Sequence, residues 1–302
     1  MKRLQIITSP NCNNNCIFCI DNRRRGKLSA AILTRDGAGA MKKMSGKLDK
    51  ILFTAGEPTL NKELPKLIGL AKKLRYSEIG LITNGRLMSG KNFCQKLFDA
   101  GLNEINVSFH SSRKAIQEKL TGAKNSFDET FAGLKNLDHF KKSHYFNLYV
   151  NFTVTKINLK DIGNFIAMLS SFKIDGIVFN VVIPKGRALV NFDKVVPSYL
   201  SVSRELKKAL KPLKKTRYSI SVLGLPLCLM KGIEKFSGNF EKIMTKNPGF
   251  NKNIKSVAPW GRKIKAAGCG QCVFNGVCEG VWASYIKKRG WREFKPVLKN
   301  NG

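Results

Sequence analysis

Seven of the chain's eight cysteines fall where thiolates can act together. Cys12, Cys16 and Cys19 form a C-x3-C-x2-C loop, with Phe18 directly before the last cysteine. Three thiolates this close can hold three irons of a cubane cluster and leave the fourth iron open to another ligand; ferredoxin-type clusters use four cysteines. A zinc knuckle is the plainer alternative, but structural zinc wants four closed tetrahedral ligands. No histidine or fourth cysteine stands within this loop. A second group, Cys269-x2-Cys272-x5-Cys278, lies among glycines with Cys228 well upstream. These four complete the coordination of one iron–sulfur cluster, with zinc as the alternative because C-x2-C also makes zinc knuckles. Cys94 recurs with Phe93, Leu97 and Phe98 at helical spacing and reads as a buried core thiol.

The elements that must position these residues are short β-branched runs alternating with longer helix-period segments, the pattern of repeated βα units around a parallel sheet. The strands expected are Leu4–Thr8, Lys50–Thr54, Glu78–Thr83, Glu104–Phe109, Leu148–Thr155, Ile177–Ile183 and Ser219–Leu223, with helices near 30–44, 62–75, 90–100, 126–142, 160–172 and 198–211. Ser126 and Glu129, three apart ahead of Phe131, Leu134 and Leu137, are expected to form a capping box. In such folds the loops after the carboxyl ends of the strands converge on one face and carry the chemistry. The first cysteine loop, Gly56-Glu57-Pro58, Asn84-Gly85, Ser108, His110 and Pro184-Lys185-Gly186-Arg187 all fall there. His110 stands two residues beyond Ser108 and so faces the same side of its strand, where it would line a pocket, act as acid or base, or rest as a neutral structural histidine. Arg187 can bind a carboxylate bidentately or serve the surface. From about Leu225 the alternation stops, which puts a boundary near 224: a domain of residues 1–223 and a small irregular Cys-rich extension of 224–302. Trp282 and Tyr285 read as core residues of a helix packing that extension back.

Composition narrows the setting. A hydrophobic share of 43% over 302 residues supports proper cores, and a mean hydropathy of -0.20 is too polar for a membrane bundle. No window approaches the roughly 18–20 apolar residues of a spanning helix, and the N-terminus turns polar too early for a signal peptide. A cytoplasmic protein is expected, where disulfides are disfavoured and clustered cysteines mean metal. The net charge of +34 would attract nucleic acid, acidic peptides or anionic membrane. The cations run along the whole chain, however, and in 204–217 Leu206, Leu210 and Leu213 share one helical face while Lys207, Lys211 and Lys214 share another, as in a solvated amphipathic helix.

The C-x3-C-x2-C loop after strand one, the Gly56-Glu57-Pro58 turn after strand two and the six-unit βα repeat together resemble the radical S-adenosylmethionine (SAM) superfamily over residues 4–223. The resemblance implies an α/β fold, a partial (β/α)6 TIM-type barrel, and a [4Fe–4S] cluster on Cys12, Cys16 and Cys19 whose open iron is chelated by SAM. Reductive cleavage of SAM would yield a 5′-deoxyadenosyl radical that abstracts hydrogen from a substrate. It further implies that Gly56 and Glu57 form the turn whose backbone holds the SAM amino group. Asn84 and Ser108 would lie near the ribose and carboxylate, Phe18 beside the adenine, and Val182-Ile183 along its edge. The family usually has Gly where this chain has Ala55, a small-for-small change. The C-terminal C-x2-C-x5-C resembles the SPASM and twitch extensions of peptide-maturing enzymes, in a twitch-like form with one auxiliary [4Fe–4S] cluster on Cys228, Cys269, Cys272 and Cys278. The molybdenum-cofactor cyclase, another relative with an auxiliary cluster, has wider spacing between its C-terminal cysteines and ends in Gly-Gly, so that function is not assigned. The substrate expected first is a ribosomally made peptide or protein, with a small molecule as the other class, and the reductant is one such as flavodoxin or ferredoxin. With strand one opening almost at Met1, recognition of a leader falls to the loops or a separate partner. RNA modification and a non-enzymatic iron–sulfur electron carrier are the competing classes.

Overall fold

The computed structural model describes residues 3–20, 29–213, 216–238 and 261–298; Lys214 of the expected amphipathic face lies outside them. Seven strands, β1 (Arg3–Ile7), β2 (Lys50–Thr54), β3 (Glu78–Thr83), β4 (Glu104–Ser108), β5 (Asn147–Val154), β6 (Gly176–Val181) and β7 (Ser219–Leu223), pair in strict chain order and all parallel. Each returns through helical structure: α1 (Ala30–Met44), α2 (Leu64–Lys73), α3 (Lys91–Ala100), α4 (Lys114–Thr121) with α5 (Ser126–Phe140), α6 (Ile162–Leu169), and α7 (Arg187–Val190), α8 (Phe192–Val195) and α9 (Tyr199–Leu210) before β7. The sheet runs open from β1 to β7, and the whole is a partial (β/α) barrel.

The two faces of the sheet differ in kind. Ile6, Phe53, Leu81, Ile105 and Leu148 sit side by side in register and are buried, each worth roughly 1.5–3 kcal/mol of burial. Gly37 of α1 presses so close to Ile6 that a Cβ there would stand 2.8 Å from its Cγ2, which marks this face as the helix side. The other face is polar. At the amino ends Arg3 binds Glu78 at 2.7 Å and Glu104 at 2.9 Å, and Lys50 also pairs with Glu78, closing that end with charge. Higher up, Asn106, Ser108, Tyr149, Asn151, Thr153 and Asn180 alternate with buried apolar residues and stay half-buried. A strand covered by helices on both faces would read as continuously apolar; β5, with its alternation of half-buried and buried residues, lines an accessible interior.

Two expectations change. The segment 110–125 holds α4, which was not foreseen: its apolar Ile116 and Leu120 make too thin a stripe to stand out, and Gly122 at φ +59° ends it. The capping box does not form, because Asn125, at φ 62°, is the N-cap of α5. The Ser126 hydroxyl is buried 2.6 Å from that of Thr121, and the Glu129 carboxylate is drawn to the Arg86 guanidinium.

Past β7 the chain makes the antiparallel pair β8 (Lys263–Ile264) and β9 (Val281–Trp282), then α10 (Ala283–Arg289). Tyr285 is fully buried with its ring 4.5 Å from Tyr199 and 6.0 Å from Phe192, and Trp282 is buried too, so α10 packs this region onto α8 and α9. Among the described residues no helix is long and apolar enough to cross a membrane.

Candidate functional site

The loop after β1 carries Cys12, Cys16 and Cys19 and is held by loops that follow other strands. Glu57 donates its N–H to Asn11 O at 2.7 Å. Asn84 Nδ2 donates to Asn13 Oδ1 at 2.6 Å and approaches Cys12 Sγ at 3.9 Å. The C-terminal carbonyls of α4 accept from the loop, Thr121 O from Asn15 N at 2.7 Å and Leu120 O from Ile17 N at 3.0 Å. From beyond β6, Arg187 N donates to Cys19 O at 2.8 Å and Asn191 Nδ2 to Ile17 O at 3.0 Å. Burial, more than the neighbouring thiols Cys19 and Cys12, pushes the Cys16 thiol up, and burial likewise raises Cys12. Both shifts favour the protonated thiol over the thiolate, so a metal bound here would release protons as it bound.

Gly56 shapes the turn that leads into Glu57. It sits at φ +59°, and a Cβ would stand 2.4 Å from Ser9 O and 2.6 Å from Asn11 O, inside contact distance. The turn needs both the left-handed conformation and the absence of a side chain. Ala55, immediately before it, also has φ 65°. The exchange of the family's glycine for alanine is therefore not neutral: it places a Cβ in a region that costs an L-residue roughly 1–2 kcal/mol.

The Glu57 carboxylate is buried and accepts four hydrogen bonds: from Thr59 N at 3.1 Å, Thr59 Oγ1 at 2.7 Å, Thr83 Oγ1 at 2.6 Å and Asn84 N at 2.7 Å. Burial raises its pKa and these bonds pull it back. This side chain ties the loop after β2 to the end of β3, so Glu57 braces Asn84, whose side chain reaches the cysteine loop.

His110 is buried with its ring edge-on to Phe18 at 5.0 Å. Its Nδ1 accepts from Thr153 N at 3.1 Å, which assigns the proton to Nε2, and burial holds its pKa down at about 3. Near neutral pH it is therefore an uncharged imidazole with its Nε2–H as donor, because burial disfavours the imidazolium. Ser108 ends β4 opposite Asn151 on the polar face. Val182 N is already bonded to Val154 O at 3.0 Å, and Ile183 is half-buried beyond it. Arg187, read as a carboxylate ligand or a surface residue, donates through Nη1 to Asn15 O at 2.9 Å and to Asn15 Oδ1.

The second cysteine group gathers beyond β7. Cys228, Cys269, Cys272 and Cys278 line one small open pocket, walled by Ile264, Phe274, Trp291 and Phe294 with Lys265 and Lys295 also present. Burial, then the charges of Cys278, Cys272 and Cys269, push Cys228 up to about 11. Cys272 Sγ accepts from Val297 N at 3.4 Å. Among the described residues no three His, Cys, Asp or Glu side chains close on the point of a single ion; these four thiols surround a space instead. Cys94, by contrast, is fully buried against Met88, a core thiol as expected.

Sequence reasoning missed Arg86, Asn191, the end of α4 and the polar inner row. The alternation in Asn147–Val154 was a readable signal for the last; the others are joined to the cysteine loop only through folding.

A partial barrel whose first loop carries three braced thiols defines a class of iron–sulfur barrel enzymes. The chain belongs to the radical SAM superfamily, whose family model matches residues 6–169. A Sulfolobus acidocaldarius protein named "Probable GTP 3',8-cyclase" is 32% identical over 180 residues, 59% of this chain and 55% of that one. A Methanococcus aeolicus protein of the same name is 36% identical over 133 residues, 40% and 42% of the two chains. The chain thus aligns with about half the length of these curated relatives. Among solved structures, Streptococcus suis SuiB bound to SAM matches with a TM-score of 0.51 at 14% identity, over 99% of this chain and 74% of that one. The protein anSMEcpe with bound AdoMet and Cp18Cys peptide matches with a TM-score of 0.51 at 15% identity, over 98% and 92%. At these identities the structural likeness is one of fold. The sequence relatives carry the cyclase name that the C-terminal cysteine spacing had set aside, and not that of a peptide-maturing branch.

Proposed function

We propose that the chain is a radical SAM enzyme with a catalytic [4Fe–4S] cluster on Cys12, Cys16 and Cys19 in a barrel of residues 1–223. A second, auxiliary cluster on Cys228, Cys269, Cys272 and Cys278 belongs to an extension of 224–302, and the substrate is a purine nucleoside triphosphate, GTP by the names of the relatives. The observation that carries this reading is the cysteine loop itself, three thiols braced from beyond β2, β3, α4 and β6 at the carboxyl end of a sheet with a polar inner face. Bound and reduced, the cluster would supply the electron that breaks the C5′–S bond of SAM.

The chain's own residues do the rest. Gly56 leaves room for the turn, Glu57 holds Asn84 toward Cys12, and neutral His110 keeps Phe18 in place beside the loop. Of the strand-six pair, Val182 N is committed within the sheet, so pairing with an adenine edge falls to Ile183. The uncharged amides and hydroxyls of Asn106, Asn151, Asn180, Ser108 and Thr153 suit hydrogen bonding to a neutral base and sugar, and the +34 chain suits a triphosphate. Four thiolates around the second cavity fill every iron of an auxiliary cubane, which favours electron transfer or support over substrate ligation there.

Anaerobic reconstitution tests this, with iron counting, EPR with and without SAM, and assay of 5′-deoxyadenosine in the presence of GTP, precursor peptides or tRNA. About eight irons per chain, a SAM-dependent EPR change, and GTP-dependent product lost in Cys16→Ala support the reading. Turnover of a peptide or of tRNA in place of GTP overturns the substrate, about four irons plus zinc overturns the auxiliary cluster, and no SAM cleavage under reduction leaves an electron carrier.

A further inference from the structure

The three residues between Cys12 and Cys16 are all asparagine, and each is engaged by a group from outside the loop. Asn13 takes the Asn84 amide on Oδ1 at 2.6 Å and Arg86 Nη1 on its backbone carbonyl. Asn14 Oδ1 accepts from the same Arg86 Nη1 at 3.1 Å, while Asn14 N donates to Cys12 Sγ at 3.4 Å. Asn15 presents both its backbone and side-chain oxygens to Arg187 Nη1. Arg86 follows β3 and Arg187 follows β6, so two guanidiniums reach one tripeptide from strands well apart in the sheet.

Close approach is built in around these contacts. At Gly122 a Cβ would lie 2.7 Å from Asn15 O, and at Gly186, next to Arg187, it would lie 2.4 Å from Ile20 O. The charges of the two arginines differ in compensation. Arg86 Nε is paired with Glu129, whereas Arg187 has no carboxylate at ion-pair distance among the described residues.

We propose that Arg86 and Arg187 are positioning residues that clamp the Asn13-Asn14-Asn15 triplet and thereby set both the spread of the catalytic thiolates and the electrostatics of the group they hold. The inference rests on the catalytic-cluster reading for its electrochemical half and on the loop's hydrogen bonds for its geometric half. Amide carbonyls suit the clamp because a neutral acceptor takes a guanidinium without cancelling its charge, as a carboxylate would. An uncompensated cation beside a cluster favours the reduced, more negative form, so Arg187 raises the reduction potential and Arg86, already balanced by Glu129, acts chiefly through geometry.

The test uses the full chain and Arg86→Gln, Arg187→Gln, Arg187→Lys, Asn15→Ala and the Arg187→Gln/Asn15→Ala double variant, with thermal melts to establish folding. Hydrogen exchange of the Asn15 and Ile17 amides, which bond to the end of α4, reads the clamp with or without iron. Either Arg→Gln change is expected to speed that exchange roughly tenfold, the loss of one to two net hydrogen bonds. The Arg187→Gln and Asn15→Ala effects are expected to overlap rather than add. In SAM-free reconstituted protein, Arg187→Gln lowers the midpoint potential of the catalytic cluster more than Arg86→Gln does, and Arg187→Lys restores it. Unchanged exchange in both Arg→Gln variants, or additive effects of Arg187→Gln and Asn15→Ala, overturns the clamp. Unchanged potential in Arg187→Gln overturns its electrostatic half. A wild-type chain that takes up no SAM-responsive cluster sinks the proposed function instead, and the exchange result still decides the clamp.

Discussion

Ala55 and Gly56 are neighbours with the same left-handed backbone, at φ 65° and 59°, and opposite substitutions there have opposite expected signs. Ala55→Gly removes a strain of roughly 1–2 kcal/mol and gives back roughly 0.4–1 kcal/mol through the freer unfolded chain. The net is a gain near 0.5–1 kcal/mol, a rise in Tm of about 2 °C for a chain of this size. Gly56→Ala adds the same strain and also drives a Cβ against Ser9 O at 2.4 Å and Asn11 O at 2.6 Å. Both obstacles are backbone carbonyls, so no side chain can rotate away. The segment that has to move leads directly into Cys12, and the expected cost is about 3 kcal/mol or more together with loss of iron from the first site. Calorimetric or circular-dichroism melts of the iron-free proteins, paired with iron counts after reconstitution, read both effects. If Gly56→Ala melts with the wild type and holds full iron, or if Ala55→Gly lowers Tm, the account of this turn is wrong.

His110 predicts acid lability. Its folded pKa of about 3 lies below the value of 6.5 it has when exposed, so between those pH values the unfolded chain binds a proton that the folded chain refuses. Stability is untouched above pH 6.5 and falls as pH drops toward 3, by up to about 1.4 kcal/mol per unit and about 5 kcal/mol in all. Urea unfolding at pH 7, 6 and 5 should show that slope and its loss in His110→Gln; an NMR titration of His110 near 6.5 would contradict it. Glu57→Gln puts an amide where the carboxylate takes four donors, leaving Asn84 N or a threonine unpaired at a cost of about 1–3 kcal/mol. A lower Tm with weaker SAM binding is expected, and an unchanged melt counts against the brace. Cys228→Ala should lower the iron count by about four per chain while Cys94→Ala leaves it whole, and equal counts in the two variants would remove Cys228 from the auxiliary site.

Local chemistry made much of this fold legible. The β-branched runs fall within two residues of all seven strands β1 to β7, and the helix over 30–44 is α1 as read, because buried parallel strands and amphipathic helices each demand a composition of their own. The braces were not legible. Ser126 and Glu129 carry the spacing of a capping box, yet a nearby hydroxyl and a guanidinium take them away, since a tertiary partner outweighs a cap worth about 1 kcal/mol. Arg187 has the chemistry of a substrate anchor, and its actual partner, Asn15, is distant in sequence.

The sequence by itself determined the kind of chemistry: three thiolates in one loop, four in the C-terminal half, and a βα alternation that brings loops to one end of a sheet. Those are properties of residue type and spacing, and they survive without coordinates. Tertiary structure alone decided that His110 is neutral and that an asparagine triplet is gripped from beyond β3 and β6. Burial and long-range hydrogen bonding depend on which surfaces the folded chain brings together, and the pattern along the chain carries no record of that meeting.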